Sequence, residues 1–393
     1  MDFNVELGVC KTDAFSKVYP VINHHILNNE KWQPCRDGNV KELLNFKTII
    51  TNPYQRCVGG YRRGINIFFL LAEAMWIFTG RKDVKFLTHF NKRMADFSDD
   101  GKVFHAPYGF RLRHWGVRSE DRFTAENLHA AQGCDQVKDA IRILEANPNS
   151  RQVVMSIWNP DLDLGTKTKD IPCNDMVMLK IRDGKLITTI QNRSNDLHWG
   201  LPTNLFQFSF LTEMLSACLG IELGTQTHNS QSLHIYDWNK IAEVMDDTLM
   251  DEQDDGDCEL YSLGAKFRKM EFNFKHSVAV NRLREIDYHL NLVIDNLSNI
   301  ADGGYENVEE VKQITDFSND LAVIYKYLAT YLAYKQDISG GRKSNDSAID
   351  AKETILAINQ LHNIPCMWDV SLLAQNWFCS RIENNKHAYL GKL

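Results

Sequence analysis

The sequence predicts an α/β chain, strands and helices mixed, that continues into a helical C-terminal region. Three observations carry this. A hairpin signature occupies residues 176–191, a β-branched and apolar run occupies residues 153–158, and apolar residues recur at helical spacing beyond residue 280. In chain order, residues 65–80 read as an apolar helix with Gly80 as its stop signal. Residues 153–158 read as a buried strand. Residues 176–181 and 186–191 flank Arg182-Asp183-Gly184-Lys185, and Asp-Gly between two apolar runs marks a tight hairpin. This pairing sets Cys173 just before one strand and Arg193 just after the other. Residues 205–219 follow as an apolar helix stopped by Gly220. Residues 246–257 hold seven acidic residues in twelve positions and read as a solvated loop. Beyond it, Leu283, Ile286, Leu290, Val293 and Leu297 form one helical stripe, and Leu321, Ile324, Tyr325, Leu328 and Leu332 another. A loop at 339–347, with Gly340-Gly341, separates these from residues 349–362 and a last segment near 368–382. Such stripes are packing faces. The expected division is a first part at 1–278 and a helical extension at 279–393.

The 393 residues suffice for two domains or one large core with an appendage. Hydrophobic content of 44% and charged content of 24% are those of an ordinary globular protein. A net charge of −7 argues against a general nucleic-acid binder, which needs a basic surface to neutralise phosphates. A local basic pocket for one phosphate is compatible with it. Residues 1–10 carry neither a basic n-region nor an apolar h-region. The longest apolar stretch, near 65–78, contains Glu73 and is too short to cross a bilayer. The expectation is a cytoplasmic protein without a membrane or nucleic-acid partner. Nine cysteines, odd in number and irregularly spaced, read as reduced thiols. The absence of any Cys-x-x-Cys pair argues against a structural zinc site, and no metal is expected.

The densest chemistry lies in three short segments. These are Ile171-Pro172-Cys173-Asn174, then Gln191-Asn192-Arg193-Ser194-Asn195-Asp196, then the turn Gly200-Leu201-Pro202-Thr203-Asn204. Together they supply a nucleophile, an anion clamp and an amide able to read a planar heterocycle. A lone cysteine is by default an inert buried thiol. A hairpin that returns Arg193 towards Cys173 changes that reading, because a nearby cation lowers a thiol's pKa. Cys173 is therefore expected with a depressed pKa and Arg193 as its activator. Glu73 stands inside an apolar helix, where an acid is costly unless partnered or functional. Its plain alternative is a buried structural carboxylate.

These residues, from Arg36 to Tyr236, resemble the thymidylate synthase family, which includes the pyrimidine-nucleotide hydroxymethylases. The resemblance implies a large twisted mixed sheet flanked by helices, with two sheets packed face to face in a homodimer. It makes 1–278 the catalytic domain. It implies dUMP as substrate and 5,10-methylenetetrahydrofolate as co-substrate. Cys173 takes the place of the nucleophile that adds to carbon 6 of the pyrimidine, so that carbon 5 can attack a one-carbon electrophile. Arg36-Asp37-Gly38 resembles the family's mobile phosphate loop. Ala72-Glu73-Ala74-Met75-Trp76-Ile77-Phe78-Thr79-Gly80 resembles its Glu-Leu-Leu-Trp helix, in which the acid orders water and relays protons. Tyr108-Gly109 matches a catalytic-network tyrosine. Ser150-Arg151 matches a pair whose arginine reaches the partner subunit's phosphate site, although Gln152 replaces the second arginine. Arg193 and Ser194 match in-subunit phosphate ligands, where a forked guanidinium suits two phosphate oxygens. Asp196 matches a folate-contacting, catalytic aspartate, and its bland alternative is a strand-end cap. Glu73 is implied on the folate side as well. Asn204 matches the asparagine that reads the uracil edge, where cytidylate enzymes place an aspartate. A primary amide both donates and accepts, as O4 and N3–H of uracil require. His234-Ile235-Tyr236 resembles the pair that binds the sugar 3′-hydroxyl.

Three departures bear on the product. Asn174 follows the cysteine where synthases carry histidine. Met94-Ala95-Asp96 stands where Trp-Ala-Asp is usual. The tail Ala388-Tyr389-Leu390-Gly391-Lys392-Leu393 differs from the synthases' closing apolar tail. Closure protects a reactive intermediate from hydrolysis. The departures therefore point to a deoxyuridylate hydroxymethylase of the kind phages use to make 5-hydroxymethyluracil DNA. A divergent thymidylate synthase is the alternative. A non-catalytic nucleotide-binding or assembly protein on the same fold is a third reading.

Overall fold

Alternation of apolar and polar residues along the strands builds one mixed sheet, with nine strands among the described residues. The computed structural model describes residues 2–4, 8–57, 65–116, 133–243, 269–363 and 369–382. The acidic run at 246–257 and the tail at 388–393 lie outside them. The strands are β1 (Asp2–Asn4), β2 (Val9–Thr12), β3 (Gln33–Cys35), β4 (Gly38–Ile50), β5 (Val154–Ser156), β6 (Asn174–Arg182), β7 (Lys185–Asn192), β8 (Asn195–Asp196) and β9 (Glu222–Tyr236). Their order is β1-β2-β4-β9-β7-β6-β5, with β3 paired to β4 and β8 to β9. The β2–β4, β7–β9 and β8–β9 pairs are parallel and the others antiparallel. A mixed sheet flanked by helices, with a helical C-terminal region, is the architecture expected.

The hairpin of β6 and β7 turns on Asp183 and Gly184, whose φ values are +51° and +69°. Two positive φ angles match the twist of the flanking strands, and an Asp-Gly pair adopts them at low strain. At the far end a bulge interrupts the register between Asn174 and Met176. The extra residue is Asp175, and its carbonyl accepts from Ile157 N at 2.8 Å and Trp158 N at 2.9 Å. The bulge leaves Asn174 directly opposite Asn192. The strand expected at 153–158 is shorter, because the chain leaves the ladder once Ile157 and Trp158 bond to that bulge.

Helices before β9 are α1 (Tyr19–Asn29), α2 (Ile67–Phe78), α3 (Val84–Phe90), α4 (Tyr108–Arg113), α5 (Gln136–Ala146), α6 (Pro160–Asp163) and α7 (Gly200–Leu219). Helix α2 fills the span expected for residues 65–80, with Asn66 Oδ1 capping Phe69 N at 3.1 Å. Helix α7 starts at Gly200, five residues before the position read from the sequence. Pro202 was the misleading signal. In a first turn its missing N–H removes no hydrogen bond, so Gly-Leu-Pro opens the helix and Asn204 sits on it rather than in a turn. Helix α7 is buried nearly all round and forms the axis of the core. Asn174, Asn192 and Asn195 are also buried.

The C-terminal helices are α8 (Ala279–Ala301), α9 (Val308–Phe317), α10 (Asn319–Ser339), α11 (Ser344–Leu361) and α12 (Asp369–Ile382). Helix α11 begins inside the loop expected at 339–347. Both stripes face inward, and one hydrophobic cluster runs from α2 and α7 into α8, α10 and α12. Phe68 of α2 stacks on Tyr331 at 4.7 Å and meets Trp377 edge-on at 5.6 Å. Such aromatic pairs are worth about 0.5–1.5 kcal/mol each beyond area burial. Arg113, at the end of α4, donates to Phe78 O at 2.9 Å, to both oxygens of Asp287 at 2.7 Å, and to Asp135 at 3.1 Å. The C-terminal helices thus brace the two helices that carry Glu73 and Tyr108. A second cluster joins α1 to β4 and β9 through Phe15, Ile22, Phe46 and Leu233.

Candidate active site

Cys173 precedes β6, half-buried, at the point where the bulge turns the chain. Its N–H donates to Tyr108 Oη at 3.3 Å. The hairpin returns Arg193, whose N–H donates to Cys173 O at 3.0 Å. The Arg193 guanidinium donates to Pro172 O at 2.8 Å and Ile171 O at 3.1 Å, and Nη2 stands 3.9 Å from the Cys173 sulfur. The Trp158 ring lies 5.9 Å from that guanidinium. Arg193 therefore approaches the thiol as expected. The expected depression of the thiol's pKa is corrected: burial pushes it up, Arg193 pulls it down, and Asp170, Asp175 and Asp196 add to the rise. Burial wins because the thiolate loses hydration on several sides while the guanidinium meets it on one.

Tyr108 comes close through its neighbour. A Cβ built on Gly109 would lie 2.0 Å from Ile77 O, with Ile77 C and Cα at 2.6 Å. Only glycine lets α4 touch the backbone of α2 this closely. Burial pushes the Tyr108 hydroxyl well above the usual tyrosine range, and the Asn174 amide and the Cys173 N–H, both hydrogen-bonded to it, pull the other way. Glu73 lies one turn earlier on α2 and accepts from Gln207 Nε2 of α7. Burial pushes its carboxyl up to about 8, and the Gln207 bond opposes that rise.

Asn204 accepts from Asn174 Nδ2 at 3.0 Å and donates to Asn195 Oδ1 at 3.1 Å. Asp196 Oδ1 accepts from the backbone N–H groups of His198 and Trp199, so this carboxylate caps a turn as well as facing Cys173 electrostatically. Ser194 is half-buried beside it. His234 and Tyr236 meet edge-on at 4.9 Å near the end of β9. Arg36 is exposed at the β3–β4 turn, paired with Asp37 at 3.0 Å, and its charge is felt at both Tyr236 and Cys173. Trp238 pins that turn by donating to Asp37 O at 3.0 Å while stacking on Tyr236 at 4.9 Å. Arg151 is exposed between α5 and β5, and among the described residues no hydrogen bond or ion pair joins it to Cys173, Tyr108 or Arg193.

The fold therefore brings Tyr108 and Arg193 directly to Cys173 and Asn204 to its neighbour Asn174, with Asp196 and Arg36 in electrostatic reach of the thiol. Sequence reasoning missed Gln207, Trp158, Trp238, and the buried amides Asn192 and Asn195. Gln207 carries a readable signal, an amide three residues after Asn204 on an otherwise apolar helix. Such an arrangement presents a nucleophile beside a cation, a buried amide for a heterocycle, and a carboxyl that titrates near neutrality.

A family model described as thymidylate synthase matches residues 18–291. A deoxyuridylate hydroxymethyltransferase of Bacillus phage SP01 is 41% identical over 214 residues, 54% of each chain. Another from Pseudomonas phage M6 is 37% identical over 203 residues, 51% of this chain and 53% of its own. The thymidylate synthase of Bos taurus is 28% identical over 196 residues, 46% of this chain and 53% of its own. The chain spans about half the length of the phage relatives it matches. The matched residues hold Cys173, Glu73 and the other residues described around them, and the chain belongs to the thymidylate synthase family.

Proposed function

We propose that the protein transfers a one-carbon unit from 5,10-methylenetetrahydrofolate to carbon 5 of dUMP, and that water completes the reaction to give 5-hydroxymethyl-dUMP and tetrahydrofolate. The observation that carries this reading is Cys173 flanked by Arg193 and Tyr108, with the buried amide of Asn204 adjoining through Asn174. Arg193, Ser194 and Arg36 hold the nucleotide phosphate, His234 and Tyr236 the sugar, and Asn204 the uracil edge.

The Cys173 sulfur bonds to carbon 6, and the C5–C6 π pair moves to O4 as an enolate. Carbon 5 attacks the folate-derived iminium carbon and then loses its proton. Expulsion of tetrahydrofolate leaves an exocyclic methylene. Water adds to it, and elimination of the Cys173 thiolate restores the ring. The balance is dUMP, methylenetetrahydrofolate and water in, hydroxymethyl-dUMP and tetrahydrofolate out, with no net redox change. Glu73, with its carboxyl at about 8, both takes and gives a proton near neutral pH and serves the water. Asp196 borders the folate side.

Two phage deoxyuridylate hydroxymethyltransferases, more similar over their matched segments than the bovine synthase, support this over the synthase reading. Asn174 after the nucleophile supports it too. Arg151, exposed between α5 and β5, fits a homodimer in which it completes the partner's phosphate site. Mixing Arg151→Ala chains with Cys173→Ala chains tests this: recovery of activity is expected, and none despite confirmed subunit exchange refutes the shared site. Incubation with 5-fluoro-dUMP and methylenetetrahydrofolate tests the central step. A stable ternary adduct on Cys173 is expected, and a protein that forms none is not an enzyme of this type.

A further inference from the structure

Four buried asparagines form one directed chain beside the nucleophile. Asn192 Nδ2 donates to Asn174 Oδ1 across the β6–β7 pair. Asn174 Nδ2 donates to Asn204 Oδ1 at 3.0 Å, Asn204 Nδ2 to Asn195 Oδ1 at 3.1 Å, and Asn195 Nδ2 to Ser230 Oγ at 3.1 Å. All four amides are at least nine-tenths buried, and Asn174 is fully so. Every link runs in the same sense. Reversing one amide therefore requires reversing its neighbours, because a buried N–H facing an N–H, or an oxygen facing an oxygen, forfeits a hydrogen bond in low dielectric.

The direction has a physical cause at its ends. As it stands, the chain leaves Asn192 Oδ1 without a partner among the described residues. Reversed, it would leave the Asn192 amino group there instead. Unpaired carbonyl oxygens are tolerated more often than unpaired N–H groups. Ser230 at the other end is indifferent, since a hydroxyl accepts or donates by rotating.

We infer that this relay, with Asn174 as its positioning residue, sets which way the Asn204 carboxamide points and thereby decides between a uracil-type and a cytosine-type edge. The inference rests on the reading of Asn204 as the base-recognising amide. Its two relay bonds use one lone pair of Oδ1 and one hydrogen of Nδ2. One acceptor site and one donor site remain, at fixed places. Uracil offers N3–H and a carbonyl at carbon 4, whereas cytosine offers a bare N3 and an amino group. The two edges are mirror patterns of donor and acceptor. An Asn204 amide held one way matches one of them, and turned over it matches the other.

Carboxylates inserted into the relay test this, because an ionised carboxylate only accepts. In Asn174→Asp the new acid takes a hydrogen bond from Asn192 and another from Asn204, so Asn204 must present its amino group to it. Asn204 and Asn195 turn over, and Ser230 donates. Asn192→Asp reverses the chain from its other end and serves if the first variant does not fold. Asn195→Asp accepts from Asn204 as Asn195 does now, and leaves the direction intact. The readout is the ratio of turnover on dUMP to turnover on dCMP, with circular dichroism to confirm folding. Asn174→Asp or Asn192→Asp is expected to shift the ratio towards dCMP by ~10–100-fold, the scale of one mismatched buried hydrogen bond. Asn195→Asp is expected to keep the preference for dUMP. A merely structural role would lower both activities together and leave the ratio unmoved in all three, which overturns the inference while leaving the proposed function standing. A wild-type protein that turns over neither nucleotide overturns the proposed function, and the inference with it.

Discussion

Glu73→Gln should strengthen the fold at high pH while removing activity. In the folded chain burial moves this carboxyl from an ordinary 4.5 up to about 8. Between those values the folded chain keeps a proton that the unfolded chain has released. Stability therefore falls as pH rises across this window, and the loss is complete above about 8. One pKa unit is worth about 1.4 kcal/mol, so the full displacement would amount to roughly 5 kcal/mol. The side chain is only half-buried, so this figure is the upper end of the effect. Glutamine is isosteric, still accepts from Gln207 Nε2, and offers an amino group to the buried Gln207 oxygen that lacks a partner among the described residues. Urea unfolding at pH 4.5 and pH 8 is the assay. The variant should gain up to about 4 kcal/mol over wild type at pH 8 relative to its difference at pH 4.5. Its turnover should fall by ~10²–10⁴-fold, the usual contribution of a positioned acid-base group. A stability difference independent of pH would show that Glu73 is already ionised in the native state and would refute the reasoning.

Further outcomes follow from other contacts. Gly109→Ala drives a methyl group into the Ile77 backbone, so α4 must leave α2. It should cost about 1–3 kcal/mol by thermal or urea unfolding and lower kcat through displaced Tyr108, and wild-type values for both would contradict the close packing. Glu213→Ala breaks the buried ion pair with Arg56 and releases the Met270 N–H, which donates to Glu213 Oε1 at 2.8 Å. A loss of about 3–5 kcal/mol is expected, and a loss below about 1 kcal/mol would place that pair in solvent. Arg193→Ala should raise the midpoint of Cys173 alkylation with pH above that of wild type, because Arg193 exerts the largest downward pull on that thiol. An unchanged or lower midpoint would remove Arg193 as activator.

The sequence made the hairpin legible because Asp183-Gly184 specifies its turn, and the turn sets the register that returns Arg193 to Cys173. The helical stripes beyond residue 280 were legible because the 3.6-residue period survives in the residues that face the core. The start of α7 was not, since proline signals a turn and a first helical turn equally well. The direction of the Cys173 shift was not either. It depends on how much protein surrounds the sulfur, and spacing records only that a cation returns to it. The asparagine relay was least legible. Its members are scattered from 174 to 230 over four strands and a helix, and only the bulge at Asp175 aligns the first pair. Asn174 was visible as a departure from the family, but its role lies in what it touches.

The most direct test of the account is the fate of the folate in a single incubation of the wild-type protein with dUMP and methylenetetrahydrofolate. Dihydrofolate formation is followed by ultraviolet absorbance and the nucleotide by mass spectrometry. The account predicts 5-hydroxymethyl-dUMP, carrying one oxygen more than dTMP, with no dihydrofolate and with activity abolished in Cys173→Ala. Stoichiometric dihydrofolate together with dTMP would contradict it and make the protein a thymidylate synthase.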